Sequence, residues 1–84
     1  MAKDIGLDFM DSVKVLISKD LGCKPEEVYV VWFAKELQNI KGMFSSDVPE
    51  SKGIYYEATY NGGKEELYID RYKKEWNKKL DIKF

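Results

Sequence analysis

Apolar and polar positions along this chain follow two periods, and the change from one to the other divides it. From Asp8 to Leu21 the apolar residues Phe9, Val13, Leu16, Ile17 and Leu21 recur at helical spacing and make one stripe. Asp8, Asp11, Ser12, Lys14, Ser18, Lys19 and Asp20 supply the polar side. An amphipathic helix over 8–21 is predicted. Asp4 or Asp8 is placed to cap its start, and Gly22 to end it in a left-handed conformation. Cys23 to Glu27 is a turn. Beyond it, Val28 to Ala34 is β-branched and aromatic with apolar residues at both parities, which predicts a central strand covered on both faces. A second strand is predicted over Ile40 to Ser45, after a turn near Gln38-Asn39. Ser46 to Gly53 reads as a polar loop.

The clearest local signal is Ile54 to Tyr60, then Asn61-Gly62-Gly63-Lys64, then Glu65 to Asp70. It predicts a hairpin whose glycines supply positive φ. A loop on Gly62-Gly63 sets Thr59 opposite Glu66 and Ala58 opposite Leu67. Ile54, Tyr56, Ala58, Leu67 and Ile69 then share one face, with Tyr55, Glu57, Thr59, Glu66, Tyr68 and Asp70 on the other. A loop on Asn61-Gly62 would oppose Glu57 to Glu66, a disfavoured like-charge pair. Tyr72, Trp76 and Leu80 recur every four residues after a capping Asp70, predicting a C-terminal helix over Arg71 to Leu80. The expected fold is a single α+β domain over 1–84 in the order α-β-β-β-β-α. Its four-stranded antiparallel sheet should carry both helices on one face. The two-sided first strand predicts that the other face is partly buried too, by the tail or a partner.

Composition narrows the chemistry. Eighty-four residues are one small domain, and 44% hydrophobic with 35% charged residues excludes a disordered or collagen-like chain. No His is present, which removes the commonest general base and metal ligand together. Cys23 is the only cysteine. It can form no internal disulfide, cannot fill a tetrahedral metal site, and follows a helix C-terminus whose dipole disfavours a thiolate. Glu65 and Glu66, as strand neighbours, point to opposite faces and cannot act as a pair. Gly62-Gly63 lies between strands, not between a strand and a helix, so it is no phosphate loop. The expectation is a protein without cofactor, metal or catalytic residues. The N-terminus lacks a secretory pattern, and the longest apolar run, Val28 to Ala34, is far short of the roughly 20 residues that span a bilayer. A cytoplasmic location and no membrane partner are expected.

The net charge of −1 hides an asymmetry. Residues 71–84 hold six Lys and Arg against two acids, +4, which leaves −5 for residues 1–70. A basic helix carrying Arg71, Lys74 and Lys78 is therefore a candidate for phosphates or an acidic surface. A solvated helix face explains the same charges. The second candidate is on the sheet, where Trp32, Tyr55 and Tyr68 are bordered by Glu57 and Asp70. Such aromatics are enriched at protein interfaces, and ordinary cross-strand packing also uses them.

Two stretches carry a resemblance: Val28 through Asn39, and Tyr55-Tyr56-Glu57-Ala58-Thr59-Tyr60-Asn61-Gly62 with Leu67 through Lys74. They resemble a family of small uncharacterised proteins from phages and prophages of Gram-positive bacteria. The resemblance implies no activity, only a setting: the cytoplasm of a bacterial host. The function expected is that of a non-enzymatic accessory protein that binds a host bacterial protein and modulates it, in host takeover or counter-defence. One alternative is an oligomer that sequesters a nucleotide signal between aromatic faces. The other is a nucleic-acid binder acting through the basic helix, which the near-neutral total charge disfavours. A homodimer is compatible with the small core.

Overall fold

The computed structural model describes residues 5–76 and 78–83. Helix α1 (Ile5–Leu21) is followed by strands β1 (Val28–Glu36), β2 (Asn39–Ser46), β3 (Ile54–Asn61) and β4 (Glu66–Lys73). The strands form an antiparallel meander in the order β1-β2-β3-β4. The architecture is α+β with one helix. Asp4 lies outside the described residues, and Asp8 sits within the first turn of α1, not at its cap.

The helical stripe packs as its spacing predicts, with one exception. Phe9, Val13, Ile17 and Leu21 are buried against Val28, Ile40, Phe44, Ile54, Tyr56 and Ala58, whereas Leu16 is exposed and Ser18 takes a buried position. The Ser18 hydroxyl donates to the Val15 carbonyl at 2.7 Å, which satisfies it within the helix. Gly22 ends α1 at φ +72°, and the Cys23 N–H bonds back to the Ser18 carbonyl at 2.9 Å. That 6→1 bond closes a left-handed terminal turn that only glycine adopts without strain. Phe9 anchors the layer with its ring 6.0 Å from Phe44 and 6.3 Å from Phe33.

Three expectations are overturned. No C-terminal helix forms: β4 continues through Arg71 and Tyr72 to Lys73, which pair with Tyr56, Tyr55 and Ile54. The Lys74 N–H then closes on the Gly53 carbonyl at 2.6 Å, and residues 75, 76 and 78–83 have neither helix nor strand. The four-residue spacing of Tyr72, Trp76 and Leu80 is a multiple of the strand period as well as close to the helical one. The ladder with β3 decides between them, since an isolated ten-residue helix is marginal in water.

β1 is an edge strand, not a central one. Short hairpins order the strands by sequence, so the first must lie outermost, and its apolar residues Val31, Trp32 and Phe33 are exposed. A β-bulge between Val30 and Trp32 takes Val31 out of register.

The β3–β4 register is shifted by two from the expected one. Asn61 pairs with Glu66, and the loop is Gly62 to Glu65. A shift of two preserves parity, so both faces have the predicted composition. Neither loop glycine takes positive φ; Glu65 does, at +54°. Asn61 Oδ1 accepts from the Gly63 N–H at 3.1 Å and the Lys64 N–H at 3.3 Å, which nucleates the longer turn. The register opposes Glu57 to Asp70, also a like-charge pair. Lys41 on β2, 3.6 Å from Glu57, offsets it, so charge avoidance along one hairpin did not decide the register.

Candidate functional site

Alternation along the four strands sends one set of side chains under α1 and the other to a face no described element covers. The open face is built in rows. Trp32, Met43, Glu57 and Asp70 lie side by side across all four strands, and Ala34, Lys41, Thr59 and Tyr68 form the next row. Tyr55 stands opposite Tyr72, and Tyr29 opposite Ser45. Trp32, Tyr55, Glu57, Tyr68 and Asp70, singled out from sequence, therefore share one surface. The sequence reading missed Met43, Tyr29 and Tyr72, which join it through the pairing of β1 with β2 and the extra length of β4. Trp32 is 41% and Tyr68 57% exposed.

The charge on this face is mostly negative: Glu36, Glu57, Glu66 and Asp70 against Lys41. The Tyr68 hydroxyl donates to Glu66, and this bond and the adjacent charge push the Tyr68 phenol up from its ordinary value.

The basic candidates do not form a common surface. Arg71 lies on β4 opposite Tyr56, on the helix side of the sheet, and its Nη1 donates to Asp20 Oδ2 at 3.2 Å. The Tyr56 hydroxyl donates to the same oxygen at 2.5 Å. Desolvation, followed by that bond and the Asp20 charge, pushes the Tyr56 phenol up to about 12. Arg71 thus takes part in a clasp that fastens the end of α1 to β3 and β4. Lys74 and Lys78 lie beyond the strand, so the helical face that would align all three is absent.

The remaining chemistry is sparse. Burial, then the charges of Glu27 and Glu50, push the Cys23 thiol up, away from a reactive thiolate. Among the described residues no three His, Cys, Asp or Glu side chains cluster to hold a metal ion, and no helix is long and apolar enough to cross a membrane. A shallow groove of about 350 Å3 runs beside the start of α1, lined by Ile5, Asp8, Phe9, Ser12, Tyr60 and Leu67. It contains no basic side chain that would meet a phosphate.

No curated protein and no solved structure matches the chain. A family model does, over residues 1–82, a span that includes α1, the whole sheet and nearly all of the segment that follows. The chain belongs to the family of unknown function DUF6275.

Proposed function

We propose that this chain is a small non-enzymatic binding domain that holds a protein partner on the open face of its sheet. One observation carries this reading: Trp32, Met43, Tyr55, Tyr68 and Tyr72 are gathered on a surface that no described element covers. Aromatic residues and Met are the types enriched at the centres of protein interfaces, and a polar rim like that of Glu36, Lys41 and Glu66 is their usual border. The excess of carboxylates on the face favours a partner with basic groups around an apolar contact. It also favours a protein over a nucleotide, whose phosphates would meet Glu57 and Asp70. In the phage or prophage setting that the resemblance implies, the partner is a host protein of the bacterial cytoplasm, and binding modulates it.

The test is affinity purification of the tagged chain from its bacterial host. The partner is identified by mass spectrometry and then titrated, purified, against the wild type and Tyr55→Ala/Tyr68→Ala. The double variant should keep its circular dichroism spectrum and lose at least ~30-fold in affinity, since a hot-spot pair contributes about 2 kcal/mol or more. Unchanged affinity overturns the reading.

A further inference from the structure

The two edges of the sheet differ. β4 carries charge along its length, with Glu66 and Asp70 followed by Arg71 and Lys73, which discourages pairing with another chain. β1 has no charged residue from Val28 to Ala34, and among the described residues no strand pairs with its outer edge. A long, apolar, uncovered edge is a template for a further strand. The bulge at Val31 interrupts it and leaves Trp32 to Glu36 as the regular stretch, apolar through Ala34 and ending on the charged pair Lys35 and Glu36.

The segment after β4 has the form such an edge accepts. Residues 75, 76 and 78–83 form neither helix nor strand, and Trp76 (77%), Leu80 (67%) and Ile82 (67%) are exposed. Lys78 breaks the even-numbered series after Trp76, but from Lys79 to Lys83 the pattern is strict, with Leu80 and Ile82 between Lys79, Asp81 and Lys83. This is the alternation of a strand with one apolar side. The radius of gyration is 14.7 Å, against about 12 Å for a compact domain of this length, as expected when a terminal arm stands away from the body.

We infer that the arm after β4 of one copy adds as a fifth strand to the β1 edge of a second copy, and that the exchange is reciprocal. Charge supports a second copy as the occupant, because the arm, residues 74–84, holds four Lys against Glu75 and Asp81, +2, and meets a body, residues 1–73, carrying −3. Geometry does too. In its own chain the arm leaves from Lys73, in the row of Ile54, at the opposite side of the sheet from β1. Reaching its own β1 means crossing three strand spacings, about 14 Å, at the end remote from Trp32–Glu36. A reciprocal exchange closes as a twofold dimer and leaves neither edge strand β1 exposed. The inference is independent of the proposed partner on the open face.

Light scattering on the eluting full chain measures the oligomer, which is expected to be a dimer. Leu80→Asp/Ile82→Asp in the full chain should elute as a monomer that still unfolds cooperatively and loses only the strand signal of the arm from its circular dichroism spectrum, since both side chains are largely exposed in the single chain. The seat is located by mixing two single-cysteine proteins in a Cys23→Ser background. Leu80→Cys should form a disulfide heterodimer with Ala34→Cys, on β1, faster than with Thr59→Cys, in the middle of the open face. A monomeric wild-type chain overturns the inference, as does a dimer that survives the arm substitutions. Faster cross-linking to position 59 overturns it as well, by seating the arm on the open face.

Discussion

Leu37 illustrates how a single residue bears a conformational cost for the sheet. It sits in the two-residue connection between β1 and β2 at φ +56°, with its side chain in solvent. A left-handed conformation costs a non-glycine residue about 1–2 kcal/mol, and the freedom glycine adds to the unfolded chain offsets part of that. Leu37→Gly should therefore stabilise the protein by about 0.5–1 kcal/mol, read as a higher denaturant midpoint with unchanged slope. Tyr56 shows the opposite case, a side chain whose bonding is specific to the folded state. Its phenol is pushed up to about 12 when folded, against an ordinary value near 10. The folded state thus holds the proton more tightly than the unfolded one. This contribution is complete below about pH 10 and is lost as pH rises toward 12. Tyr56→Phe should be less stable at neutral pH and should lack that alkaline loss, so the two stability curves converge between pH 10 and 12. Parallel curves would place the titrating group elsewhere.

At the scale of elements, the hairpins depend on one another. The Gly62 N–H donates to the Gln38 carbonyl at 3.1 Å, which joins the β3–β4 loop to the β1–β2 turn. A Cβ on Gly62 would overlap the Gln38 carbonyl oxygen and Cβ, whereas one on Gly63 would meet only Asn61 Oδ1 at 3.4 Å. Gly62→Ala should cost about 2 kcal/mol by overpacking, and Gly63→Ala should stay within about 0.5 kcal/mol, both measured by chemical denaturation. Sequence reasoning assigned both glycines to positive φ. The actual requirement at Gly62 is close approach to a turn 24 residues earlier, which no local pattern reports. Similarly, the β3–β4 face composition was legible because parity survives a shift of two. The register was not, because it depends on the Asn61 side chain and on Lys41 from the neighbouring strand.

At the scale of the molecule, one helix covers one face of a four-stranded sheet, and among the described residues no element covers the other face or pairs with either edge strand. The apolar periods alone located α1 and its Gly22 terminus, found every strand, and separated the two faces of the β3–β4 hairpin. These follow from local sterics and from the alternation each element imposes on its own residues. Tertiary structure decided the rest. It made β1 an edge, extended β4 through the segment expected to be helical, drew Arg71 into the Asp20–Tyr56 clasp and brought Met43 and Tyr72 beside Trp32 and Tyr55. The reason is that an apolar residue records its need for cover without recording what supplies it. The predicted second cover for β1 was inferred from its composition, and among the described residues no element supplies it.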